Sequence, residues 1–247
     1  CCAQTMPNGG RSNGSAIPTG DIMGFVFDER SVNSSMVEMV WRTRSEHAGT
    51  FTSVAASNWE MVITSVDGET MITARGPETK ASQADFPADA EFFGIVFKLG
   101  TFMPHLPVKA LRDRQDATLP RTSSNCFWLH GSVWELPTFE NADVFVDRLV
   151  RQEVLVRDPV VEAAMRGCAP EMSIRSLQYR FLRATGLTHK TIRQIERVRS
   201  AASLLERGTR ISDAAFELGY FDQAHLTNSL RRFIGRTPAQ ITRKNTA

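Results

Sequence analysis

Between residues 37 and 99 apolar side chains come in short runs separated by turn residues. Val37 to Thr43 (VEMVWRT) and Asn58 to Thr64 (NWEMVIT) are rich in Val, Ile and Trp, residues that suit a pleated, half-buried surface. Asp67-Gly68 then supplies a hairpin turn, and TMITA at 70–74 returns after it; an Asp-Gly pair between two such runs is a strong local hairpin signal. EFFGIVFKL at 91–99 is a further strand closed by Gly100. Several short strands with turns between them predict a barrel or sandwich of jelly-roll type.

From Phe139 the period changes. In FENADVFVDRLVRQEVLV, Val144, Phe145, Leu149 and Val150 recur among charges at helical spacing, with Glu140 or Asn141 near the start. Asp158-Pro159 opens a second helix, with Asp as N-cap and Pro at the first helical position. The boundary between a β-rich domain (21–152) and an all-α domain (157–247) falls near 152–157, and the helical part is punctuated by Gly167, Gly186, Gly208, Gly219 and Gly235. The expected class is α+β in two domains. Residues 1–20, rich in Gly, Ser, Asn and Pro and without an initiating Met, are expected to form a disordered tail.

The helical part holds one pattern twice. In Ile211–Phe233, Ala214, Ala215 and Leu218 share a face of a short helix that Ser212 can cap. Gly219 stands four residues after Ala215, as a tight helix-turn-helix requires: a small residue for close approach, then a glycine for the left-handed turn. Asp222 is placed to cap the next helix, whose Leu226, Leu230 and Phe233 form an inward stripe. Gln223, Ala224, His225, Thr227, Asn228 and Arg231 remain outward. Upstream, Ser173 is a cap, Leu177 and Phe181 an inward pair and Gly186 a stop, with Arg175, Ser176, Gln178, Tyr179 and Arg183 outward. Ile192, Ile195, Val198, Ala202 and Leu205 make the intervening segment a helix able to carry two heads into major-groove segments about 34 Å apart. One such unit alone reads more readily as an amphipathic helix whose polar side faces water; its repetition favours a nucleic-acid surface.

Charge sharpens the picture. The chain's net +2 divides into 15 Lys and Arg against six Asp and Glu over residues 166–247, and 14 against 21 before them. Only the second half is suited to a polyanion. Cys1, Cys2, Cys126 and Cys168 form neither a C-x-x-C nor a zinc pattern, so a reducing cytoplasm is the expected location and no metal or cofactor is expected. No apolar run is long enough to cross a bilayer, and no secretory signal is legible.

Residues 157–243 resemble the DNA-binding domain of the AraC/XylS family of transcription regulators, through MSIRSLQYRFLRATGLT (172–188), RVRSAASLL (197–205) and ISDAAFELGYFDQAHLTNSLRRFIGRTPAQ (211–240), including the closing turn up to Pro238. The resemblance implies base contacts from Arg175, Gln178 and Tyr179 in the first unit and Gln223, His225 and Asn228 in the second. Tyr179 and Asn228 stand where the family often has Arg; Asn favours adenine where Arg favours guanine. Arg180, Arg183, Arg231 and Arg232 are expected at phosphates, and Ala215, Gly219, Gly186 and Pro238 at structural turns. Double-stranded DNA is the implied partner; RNA polymerase, a small-molecule effector and a second copy of the chain are further candidates.

The same resemblance suggests, in general arrangement only, a cupin-like regulatory first domain for sensing or dimerisation. His47, His105 and His130 are isolated in sequence and are expected to be ordinary surface or core histidines. Trp41, Trp59, Trp128 and Trp134 with Phe92, Phe93, Phe97 and Phe102 can form a core or line an effector pocket, and Glu60 or Arg42 can hold a polar ligand. The 139–155 helix can pack on its own sheet or on a second copy. No nucleophile elbow, phosphate loop or metalloprotease motif points to an enzyme. The competing reading is a ligand-binding or scaffold protein whose helices contact a protein.

Overall fold

The predicted hairpin is present in the computed structural model, which describes residues 27–113, 116–168 and 170–243; the expected tail at 1–20 lies outside them. Strands β1 (Asp28–Arg30), β2 (Val37–Ser45), β3 (Gly49–Ser53), β4 (Glu60–Val66) and β5 (Glu69–Arg75) are followed by β6 (Ser82–Phe86), β7 (Ala90–Phe97) and β8 (Thr101–Phe102). Asp67 and Gly68 both take positive φ, 52° and 75°, the turn whose twist matches the strands it joins. After a 3₁₀ turn at Val108–Leu111 come β9 (Ala117–Leu119), β10 (Arg121–Ser123), β11 (Cys126–Leu129) and β12 (Ser132–Glu135). The main antiparallel sheet runs β1-β2-β7-β4-β5-β9, with β10-β11-β12 and the ribbon β3-β6 beside it.

One face of the main sheet carries Val40, Met61, Ile63, Ile72, Ile95 and Phe97 into the principal core; the other holds a smaller cluster of Trp41, Val62 and Val96. Trp41 lies flat over Gly94, its direct cross-strand partner. A Cβ at Gly94 would come 2.2 Å from the indole, so this close approach needs glycine. Most of the aromatic set is therefore core: Trp59 stacks on Phe97 at 4.2 Å and donates to Thr101 O, and Trp134 is 1% exposed whereas Trp128 is 45% exposed. Glu60 accepts from Trp41 Nε1 and pairs with Arg75. Arg42 pairs with Asp28 and Glu140 and lies over Phe139.

The helix α1 (Ala142–Arg151) turns Phe145, Val146 and Leu149 onto its own domain and leaves Val144 exposed. The stretch expected to separate the domains is not a free linker, because β13 (Val156–Arg157) pairs antiparallel with β8. Asp158 caps α2 (Pro159–Met165) through Val160 N–H. Then follow α3 (Ile174–Thr185), α4 (His189–Glu206), α5 (Ile211–Glu217), α6 (Gln223–Phe233) and α7 (Pro238–Arg243). No helix among the described residues is long and apolar enough to cross a membrane.

Two histidines far apart in the sequence meet in the fold. His105 and His130, isolated in the chain, stack face to face with ring centroids 4.2 Å apart. His130 takes positive φ (48°) in the β11–β12 turn, which carries its ring over the loop after β8. Burial, then the neighbouring His130, lowers the pKa of His105. Among the described residues no three His, Cys, Asp or Glu gather as a metal site.

Candidate nucleic-acid interface

Each of the two outward helices is built by the same local rules. Ser173 accepts from Ser176 N–H at the start of α3, and Gly186 ends it in the left-handed region at φ 69°. Asp222 accepts from His225 N–H at 2.6 Å to start α6, and Gly219 makes the preceding turn at φ 67°. Ser212 does not cap α5: its N-cap is Arg210, without a side-chain bond, and Ser212 Oγ donates to Asp213 instead. At the closing turn Thr237 and Gln240 bond reciprocally around Pro238, a capping box that opens α7.

Packing fixes which faces remain outside. Phe181 and Ala184 of α3, and Leu226, Leu230 and Phe233 of α6, are buried, with Leu177 half-buried. Arg175, Gln178 and Tyr179 lie exposed on α3; Gln223, His225 and Asn228 lie exposed on α6. Ala215 is 4% exposed beneath the turn, where a larger side chain would hold the helices apart. The 18 residues of α4 span about 27 Å and connect the two units. Arg197 of α4 lies 4.3 Å over the Tyr220 ring, and Tyr220 meets His225 edge-on at 5.2 Å. That chain of contacts ties the connecting helix to the base of α6. Burial raises the Tyr220 pKa against the opposing pull of Arg197.

The arginines separate by environment. Arg231 and Arg232 are exposed at the end of α6, with the Arg232 guanidinium over the adjacent Phe233 ring. Arg183 lies over Phe102 of the β-rich domain at 5.3 Å. Arg180, expected at a phosphate, instead places Nη1 at 3.0 and 2.9 Å from the two carboxylate oxygens of Asp158. Asp158 is separated from it by 22 positions and was legible only as a helix cap, so no sequence signal announced the pair.

A second feature lies between the β-rich domain and the helices. It is a cavity of about 880 Å³ lined by Thr52, Ser57 and Lys98 on one side and Arg157, Glu196 and Arg199 on the other. Burial pulls Arg199 below and pushes Glu196 above its ordinary pKa. Ser57 Oγ and Arg157 Nε are buried there without hydrogen-bond partners. Sequence reasoning found none of these residues, because they come from distant segments with no shared pattern.

Comparison with known proteins finds a helix-turn-helix domain in the helical part. The profile of a family described as "Helix-turn-helix domain" matches residues 169–244. The "HTH-type transcriptional regulator RipA" of Corynebacterium glutamicum is 36% identical over 92 residues, covering 36% of this chain. The chain spans only 28% of the length of that relative. Among solved structures, ToxT from Vibrio cholerae O395 overlays 90% of this chain and 98% of its own, at 9% identity and a TM-score of 0.39. A second ToxT crystal form overlays 91% and all of its chain at 9% identity and 0.36.

Proposed function

We propose that this chain, whose residues 169–244 match a helix-turn-helix family, is a sequence-specific DNA-binding transcription regulator of AraC type. The observation that carries the reading is the pair of capped, outward helices α3 and α6, each with its polar face exposed on a domain that carries the chain's excess positive charge. Arg175, Gln178 and Tyr179 read bases in one half-site, and Gln223, His225 and Asn228 in the other. Donors and acceptors of these types match base edges in the major groove. Arg231 and Arg232 hold phosphates, which adds affinity without sequence information. Arg180 and Arg183, facing Asp158 and Phe102, serve to seat α3.

The β-rich domain regulates and does no catalysis. The interdomain cavity receives a small-molecule effector: its volume lies in the range of such sites, and it sits where two domains meet. Lys98, Glu196 and Arg199 on its wall offer charged contacts to a ligand. A DNA partner and unpaired Cys126 and Cys168 suit a cytoplasmic location.

Selection of the full chain against a random duplex library tests this reading. It should return two conserved segments centred about 10–10.5 base pairs apart. Recovery of unrelated sequences would favour the alternative, in which the helical domain contacts a protein.

A further inference from the structure

An α-helix leaves its last four carbonyls without donors of its own. In α6 these belong to Leu230, Arg231, Arg232 and Phe233. Ile234 and Gly235 N–H supply the first two, at 2.8 to 3.1 Å. The other two are supplied by the β-rich domain. Ala81 N–H donates to Arg232 O, and Ala55 N–H to Phe233 O, each at 2.8 Å. Ala56 and Glu78 exchange N–H···O bonds of 3.0 and 2.9 Å, locking these two loops together at the end of the β3–β6 ribbon. Ala55 also offers its carbonyl to Arg199 of α4 at 3.2 Å. Gly235 completes the seat: a Cβ there would lie 2.8 Å from the Thr52 methyl.

The other outward helix is held at the same end by a different part of the β-rich domain. A Cβ at Gly186 would lie 2.9 Å from Lys109 N and 3.0 Å from Val108 C in the 3₁₀ turn. One turn earlier Arg183 covers Phe102. Both helices are thus gripped at their C-terminal ends, while the faces that carry the proposed readers stay exposed.

We propose that the β-rich domain is a brace that fixes the distance and angle between α3 and α6, with the Ala55 and Ala81 amides as positioning groups for α6. This rests on the DNA-binding reading. A single connecting helix allows its two heads to pivot; a second support closes the triangle. The brace shares Thr52 and Arg199 with the cavity lining, so an occupant there would touch the ribbon that seats α6.

The test uses the full chain and duplexes whose two half-sites are moved apart or together by one base pair, a rotation of about 34°. Wild type should lose about tenfold or more in affinity on either change, comparable to one mis-seated base pair. Ala81→Pro removes one amide donor and should reduce that penalty to about threefold or less, while Ala81→Gly, which keeps the N–H, should behave as wild type. Hydrogen exchange of the free protein reads the brace without DNA: the Ala55 and Ala81 amides should be protected, and Ala81→Pro should speed exchange in the last turn of α6. An unchanged spacing penalty in Ala81→Pro, or amides at 55 and 81 that exchange like open loop, overturns the brace. If no duplex binds, the DNA reading fails and exchange alone judges the brace; if Ala81→Pro does not fold, wild-type exchange at the two amides decides.

Discussion

Arg180→Ala separates a structural arginine from a DNA contact. The Asp158 side chain is 9% exposed and that of Arg180 43%. The carboxylate has two partners to lose or keep: Arg180 Nη1, and the Val160 N–H it caps at 3.0 Å. Removing the guanidinium leaves a nearly buried carboxylate with its cap alone. A fully buried pair broken in this way costs about 3–5 kcal/mol. Solvent reaches Arg180 and screens it, which brings the expected loss down to about 1–2 kcal/mol. At about 2–4 °C per kcal/mol for a chain of this size, the melting midpoint should fall by about 2–8 °C. Asp158→Asn keeps the cap and loses the charge, so a double-mutant cycle should return a coupling between the two residues. The slope of log affinity against log salt should stay as in wild type. A midpoint unchanged to within about 1 °C, together with a slope reduced by about 0.9, the amount for one phosphate contact, would refute the assignment.

Three further outcomes are expected. Asn228→Ala should relax preference at one base pair by about 1–3 kcal/mol, whereas Arg232→Ala should weaken every duplex alike; an equal loss on all sequences for Asn228→Ala would remove it from the readers. Gly186→Ala should destabilise by about 1–2 kcal/mol from the left-handed backbone alone, with the approach to Lys109 adding to it, measured by denaturant unfolding; a neutral result would show that α3 does not depend on that seat. Burial lowers the pKa of His105 and His189 from the ordinary 6.5, so on acidification the unfolded chain takes up these protons first. Their contribution is complete above pH 6.5 and is lost as pH falls through that value towards the folded pKa. Thermal midpoints should therefore drop between pH 7.5 and 5.5, and His105→Phe should flatten that dependence; an identical slope in the variant would contradict it.

What could be read from the sequence was local. Asp67-Gly68, Asp158-Pro159, Ser173 and Asp222 each act on backbone within four residues, and each does in the structure what its spacing implies. The inward stripe of Leu226, Leu230 and Phe233 follows equally from helical period. What could not be read depends on distant segments meeting. β13 finds β8, His130 lies on His105, and Arg180 turns to Asp158. The Ala55 and Ala81 contacts are made by main-chain amides, which every residue except proline possesses, so composition carries no trace of them. Ser212 shows the opposite failure: a good capping residue stands two positions inside the helix it was expected to cap.

The central claim, that the two outward helices meet DNA, is tested most directly by titrating salt against the affinity of the full chain for a selected duplex. Several phosphates neutralised at once should give a steep linear fall of log affinity with log salt, about 0.9 per contact, and substituting both Arg231 and Arg232 by Ala should make it shallower by about two contacts. A slope near zero, or one indifferent to both arginines, would contradict the account.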